Sequence, residues 1–173
     1  MVTYVPGRAA TRARGSVVSA DDPVLASKIT TPGVPDWAVQ RPRITQLIIQ
    51  GTRWCPLTVL TGPVGAGKTM ALASWAASES GPVAWVSLDE YDNQPAGFWS
   101  YVAAALHRSG IAIAHGADAR EQAGEHLFLL RLAATLAAQH PPVTLVLDDL
   151  HLVTDATVLK GLDFVLRNAG AGR

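Results

Sequence analysis

Short apolar runs alternate along the chain with longer stretches in which apolar residues recur every three or four positions. The runs are Leu57-Thr58-Val59-Leu60-Thr61, Val83-Ala84-Trp85-Val86-Ser87-Leu88 and Val143-Thr144-Leu145-Val146-Leu147. Each has strand length and is nearly continuous, as expected of strands buried on both faces. Helices are predicted between and after them. One covers 68–79. A second opens at Pro95 and runs to Arg108 before Gly110, with Phe98, Val102 and Leu106 on one face. A third covers about 124–139, with Leu127, Leu130, Ala134 and Ala138 as its apolar stripe, and Pro141-Pro142 stops it. A fourth runs from an Asp155 cap to about Asn168. Upstream, a short helix is expected from Arg43 to about Gln50, ended by Gly51. Residues 110–122 read as an irregular connection and 89–93 as a polar loop. Strands alternating with helices predict an α/β fold with a parallel sheet.

The N-terminal part breaks this pattern. Lys28 to Pro42 is punctuated by Pro32, Pro35 and Pro42 and reads as an extended arm. Residues 1–27 carry Arg8, Arg12 and Arg14 but no apolar period, and read as a disordered leader. They lack the apolar core of a secretory signal; an Arg-rich organellar presequence is the alternative. The expected organisation is therefore a leader over 1–27, an arm and short helix over 28–56, and a core over 57–173.

Composition narrows the function classes. The chain has 173 residues, 49% of them hydrophobic, enough for one domain with a substantial core. Fourteen basic and fourteen acidic side chains cancel, leaving no electrostatic footprint for DNA or an anionic membrane. No stretch reaches the roughly 18 apolar residues of a membrane span. The single Cys55 cannot form an internal disulfide and fits a reducing compartment, the cytoplasm. His107, His115, His126, His140 and His151 are scattered and read as surface or loop residues rather than metal ligands.

Chemistry concentrates after the first apolar run. Gly62-Pro63-Val64-Gly65-Ala66-Gly67-Lys68-Thr69 is a complete G-x-x-x-x-G-K-[ST] loop between a strand and a helix that begins Lys68-Thr69-Met70. That context marks a phosphate-binding (Walker A) loop of a P-loop NTPase. Gly62, Gly65 and Gly67 let the backbone curl with its N–H groups inward. The helix N-terminus adds positive potential. Lys68 reaches the β- and γ-phosphates and the Thr69 hydroxyl ligates Mg2+. An ordinary glycine-rich turn is the bland alternative, and the flanking strand and helix argue against it.

The third run ends in Asp148-Asp149, a Walker B pattern. Asp148 is the metal-side candidate, and Asp149 the candidate base that polarises an attacking water. The alternative for the pair is a strand end followed by a helix cap.

Several separated segments together resemble one group. They are Lys28-Ile29-Thr30-Thr31-Pro32, Gln40-Arg41-Pro42-Arg43-Ile44, the loop with its strand, Ser74-Trp75-Ala76, Val83 to Asn93, Phe98-Trp99-Ser100-Tyr101-Val102, and Leu147 to Val153. From Lys28 onward the chain is similar to the nucleotide-binding domain of the large ATP-dependent LuxR-type transcriptional regulators, the maltose-regulon activator group of the signal-transduction ATPases with numerous domains (STAND). The resemblance implies an ATP/ADP switch in a cytoplasmic bacterial regulator, with ATP and an inducer favouring self-association. It implies that the arm folds over the adenine and that Arg41 either contacts nucleotide or pins the arm by a salt bridge. Asp89 either orients a phosphate-side water or holds the following loop. His151 either senses nucleotide state or caps and packs.

Members of that group run to many hundreds of residues and read DNA through a C-terminal helix-turn-helix. The present sequence ends where their fourth core strand begins, so the expected fold is a C-terminally incomplete three-layer P-loop NTPase. Two expectations follow for the middle of the sheet. Either a gap lies between strands 57–61 and 143–147, or these two pair directly. With the core incomplete, the isolated chain is expected to bind nucleotide weakly, if at all, and to show no appreciable hydrolysis, the family reading allowing at most a slow ATPase. A free-standing small ATPase or kinase is the alternative reading. A kinase needs a basic lid, and residues 110–122 offer only Arg120. A remnant that binds nothing is the third, and the intact loop and acid pair argue against it.

Overall fold

A computed structural model of the chain describes residues 2–4, 25–113 and 117–169, with side chains described outside 2–4 and 117–123. The order is β1 (Val2–Tyr4), α1 (Pro42–Trp54), β2 (Thr58–Val59), α2 (Lys68–Ser78), β3 (Val83–Ser87), α3 (Pro95–Arg108), α4 (Ala117–Ala137), β4 (Thr144–Asp148) and α5 (Ala156–Ala169). Single 3-10 turns follow β3 (Glu90–Asn93) and β4 (Leu150–Leu152). The sheet runs β2-β1-β4-β3.

The parallel pairing of β3 and β4 is as expected, with Trp85 opposite Val146. Strand alternation then separates two cores. Ala84, Val86, Leu145 and Leu147 join Phe98, Trp99, Val102, Leu106, Leu132, Leu136, Val158 and Leu162 on one face, under α3, α4 and α5. Trp85 and Val146 point the other way, onto Ile48, Leu72 and Trp75 of α1 and α2. Helix layers therefore cover both faces of the sheet, the three-layer α/β arrangement that the element order predicts.

Four expectations need correction. The middle of the sheet is neither open nor closed by direct pairing. Val2–Tyr4 lies there, antiparallel to both neighbours, with Val2 opposite Val59 on one side and Leu147 on the other. Three residues of the expected leader are thus a strand, because β2 and β4 each offer an unpaired backbone edge that an extended segment satisfies. The rest of that leader lies almost entirely outside the described residues, as does His115.

Second, α1 runs through Gly51 to Trp54. This glycine is not a helix stop. A Cβ there would lie 2.5 Å from Thr58 Oγ1 and 2.7 Å from its Cγ2, so Gly51 is where α1 presses on β2. Third, α4 begins at Ala117, inside the expected connection, and is kinked at Gly124 (φ 73°, ψ 154°). Fourth, its buried residues are Phe128, Leu129, Leu132, Ala133 and Leu136, while Leu127 and Leu130 are exposed. The expected stripe is out of phase: positions 128, 132 and 136, with 129 and 133, turn inward, and Phe128 packs on Trp99.

Candidate functional site

The segment after β2 curls for a local reason. Gly65 (φ 77°) and Gly67 (φ 72°) both sit in the left-handed region that a side chain disfavours. Between them the Ala66 amide donates to the Pro63 carbonyl at 3.2 Å. Gly67 is the N-cap of α2, so the first amides of an eleven-residue helix open into the curl. Gly62 needs no positive φ, and a Cβ there would meet only the Ala66 methyl at 3.4 Å and the Lys68 stem at 3.9 Å. These are ordinary contact distances, so the expected dihedral role holds for Gly65 and Gly67 and not for Gly62. Lys68 folds over the loop, its ammonium donating to the Gly62 carbonyl at 3.1 Å and the Pro63 carbonyl at 3.2 Å. Val64 at the tip is fully exposed.

Opposite the loop, β4 delivers Asp148 at its last position, 4% exposed. Burial pushes its carboxyl above the usual carboxylate range, a hydrogen bond from the Thr69 hydroxyl works against that, and the neighbouring Asp149 adds to it. Asp149 has left-handed backbone (φ 56°, ψ 30°) and a side chain 47% exposed. Aspartate tolerates this conformation better than most residues. The turn brings the Asp149 carboxylate 3.8 Å from His151 Nδ1. His151 is exposed, which removes the packing role considered for it.

The arm closes the other side. The Arg41 guanidinium donates to the Ala66 carbonyl at 2.7 Å and lies beside Gly67. Arg41 thus pins the arm to the loop backbone, and among the described residues it has no carboxylate in salt-bridge contact. A cavity of about 150 Å³ opens here, lined by Trp37, Val39, Arg41, Gly67, Met70 and Ser74 among others. Trp37 is 82% exposed. Nothing in the local pattern assigns it to the site, although an aromatic side chain held between Pro35 and Pro42 in a polar arm is itself unusual.

Asp89 holds the loop that follows β3. Its carboxylate accepts from the Tyr91 amide at 2.9 Å, and the buried Asp92 carboxylate accepts from the Asp89 amide at 2.8 Å, a reciprocal cap on the 3-10 turn. Lys28 pairs with both acids, at 2.8 Å to Asp89 and 2.7 Å to Asp92. The Lys28 hydrogen bond holds Asp89 below the usual carboxylate range. Asn93 then crosses to the segment after β4, donating to the Leu152 carbonyl and accepting from the Thr154 and Asp155 amides. The ends of β3 and β4 are therefore stapled side by side.

Among the described residues, no group of three or more His, Cys, Asp or Glu is placed to hold a metal alone. One buried carboxylate beside one hydroxyl is instead the donor set that suits Mg2+ completed by phosphate oxygens and water. Among the same residues no helix is long and apolar enough to cross a membrane.

The AAA domain profile matches residues 52–170. A similar protein is the HTH-type transcriptional regulator MalT of Serratia proteamaculans, 34% identical over 149 residues. The match covers 84% of the present chain and 16% of that protein, so the chain spans about a sixth of the relative's length. A curled glycine loop at the head of a helix, an acid-tipped parallel strand facing it and the matching profile lead to one conclusion: this chain belongs to the AAA domain family of P-loop proteins.

Proposed function

We propose that the chain is the ATP/ADP-binding switch module of a LuxR-type transcriptional regulator of the STAND class. The observation that carries this reading is the glycine loop itself: Gly65 and Gly67 lie in the left-handed region, Gly67 caps α2, and the Lys68 ammonium folds back onto the Gly62 and Pro63 carbonyls. Asp148 stands buried at the end of β4 as the candidate metal-side carboxylate.

On this reading Lys68 leaves the carbonyls of Gly62 and Pro63 for the β- and γ-phosphate oxygens. The backbone of Gly62, Val64, Gly65 and Gly67 would supply amides around the phosphates, with the Ala66 amide leaving the Pro63 carbonyl to join them, Pro63 setting the turn, and Thr69 and Met70 continuing it in the first helical turn. Thr69 and Asp148 hold Mg2+, which when bound neutralises phosphate charge. The carboxyl of Asp148, costly to ionise alone, gains the cation that its burial lacks. Trp37, Val39 and Met70 offer apolar surface to the base, and Arg41 keeps that side of the arm closed. Asp149, beside His151, is the candidate base that would orient a water, with at most slow turnover and none appreciable from these residues alone. Self-association accompanies the ATP-bound form. DNA is contacted only by a domain outside these 173 residues, in a cytoplasmic protein.

Calorimetric titration with Mg-ATP and Mg-ADP tests this. The expected dissociation constant is on the order of 0.1 mM, about −5.5 kcal/mol. Lys68→Ala removes the ammonium and is expected to abolish the heat signal. A wild-type protein that binds neither nucleotide, or a Lys68→Ala variant that binds as well, contradicts the reading.

A further inference from the structure

The arm crosses the end of the sheet from one core to the other. Ile29 packs with the α3–α5 core, and Val34 with the α1–α2 core. Between them the chain has little to hold it. Hydrogen bonds from arm residues 29–40 are short-range, such as Thr30 to the Ala26 carbonyl and the Ala38 amide to the Pro35 carbonyl. Its firm attachments are at its ends. At the far end Arg41 bonds the loop carbonyl of Ala66. At the near end the Lys28 carbonyl accepts from the Ser87 amide at 2.8 Å. The Lys28 ammonium also makes three contacts at once: Asp89, Asp92 and the face of the Tyr101 ring at 4.8 Å. Three partners saturate an ammonium group.

The side chain of this lysine is 14% exposed, and Asp92 is almost wholly buried. A buried carboxylate paired with a cation is a tight anchor, because leaving either member unpaired is expensive. The same acids cap the turn that Asn93 ties to the segment behind Asp148-Asp149. The anchor therefore sits on the piece of structure that fixes where β4 ends.

We propose that Lys28 is a positioning residue for the nucleotide site, holding the arm so that Trp37, Val39 and Arg41 stay over the first turn of α2. The inference rests on the nucleotide reading above and adds a residue remote from the phosphates. Its effect is selective. The arm borders the cavity beside Gly67, Met70 and Ser74, where the base goes, while Lys68 and the loop handle the phosphates. Loosening the arm weakens ligands that carry a base and spares those that are phosphate alone.

The test compares wild type, Lys28→Arg, Lys28→Met and the double variant Lys28→Met/Asp92→Asn. The double variant removes the buried unpaired charge that could unfold the single one, and the side-chain carbonyl that Asp92→Asn retains still caps the turn. Two ligands are titrated, Mg-ATP and inorganic tripolyphosphate with Mg2+, and amide hydrogen exchange is followed over residues 29–40 without ligand. If the docked arm falls to about a tenth of the population, the apparent dissociation constant for Mg-ATP rises about tenfold. The double variant is expected to show that loss, tripolyphosphate binding within about twofold of wild type, and faster exchange over 29–40, with Lys28→Arg recovering most of the ATP affinity. Unchanged ATP affinity, equal weakening of both ligands, or unchanged arm exchange overturns the proposal. A wild-type protein that binds neither ligand overturns the nucleotide reading instead, and the exchange comparison still decides whether Lys28 anchors the arm.

Discussion

Asp148 is the residue on which chemistry and stability pull apart. Its carboxyl is buried, and burial raises its pKa above the unfolded value. A group raised in this way stabilises the fold when protonated, fully below its unfolded pKa, and that contribution is lost as pH rises through the folded value. The ligand-free protein is therefore expected to lose stability as pH climbs from the usual carboxylate range through the raised pKa of Asp148. Asp148→Asn keeps the shape and removes the charge. It should raise stability near pH 7 by about 1 kcal/mol, roughly 3 °C in melting temperature for a chain of this size. Thermal melts from about pH 4 to 8 check this, and a variant that melts lower than wild type across the range would show that the carboxylate is already well compensated. Lys68-Thr69 and Asp148-Asp149 stand out as candidates in the sequence because phosphate chemistry allows few residue types at few spacings. The contacts of Lys28 with Asp89 and Asp92 do not, since they join positions some sixty residues apart and a single lysine carries no local pattern.

At the scale of elements, the helices whose ends are chemically marked came out where the sequence puts them. Pro95 opens α3, and the Asp155 carboxylate caps α5 by accepting from the Thr157 and Val158 amides. Errors arose where one residue type serves two purposes. Glycine at position 51 looks like a stop but allows close approach of α1 to β2. In α4, two faces of similar apolarity compete, and packing against Trp99 selects the one that carries Phe128. The Gly51 assignment can be tested. Gly51→Ala drives a methyl into the Thr58 side chain, an overpacking expected to cost about 1–3 kcal/mol. Adding Thr58→Ala removes both crowded atoms, and the double variant should recover part of the loss. Chemical denaturation of the three proteins measures this. Additive losses, or a stabilised Gly51→Ala, would mean that the glycine is not there for contact.

At the scale of the molecule, the sheet depends on how its middle is filled. The alternation of runs and helices predicts the layers and the parallel β3–β4 pair, but strand order depends on contacts far apart in sequence. The position between β2 and β4 is taken by Val2–Tyr4, a run of β-branched and aromatic residues with strand propensity but too short to announce itself beside an arginine-bearing, unpatterned stretch. Thr3 lies opposite Thr58 and Val146. Thr3→Pro removes its backbone donor and is expected to lower the melting temperature by several degrees. A melting temperature equal to wild type would show that these three residues do not complete the sheet. The consequence reaches the site, because β2 leads into the glycine loop and β4 ends in Asp148, so whatever spaces these strands also spaces the amides from the acid.

If the loop and the acid-tipped strand together hold a metal-bound nucleotide, ATP affinity depends on Mg2+ in wild type and not in Thr69→Val. Mg2+ is expected to tighten ATP binding at least about tenfold in wild type, roughly 1.4 kcal/mol or more, and to have no effect once the Thr69 hydroxyl is gone. ATP affinity that ignores Mg2+ in the wild-type protein, or a Thr69→Val variant that responds to it in full, would contradict the account.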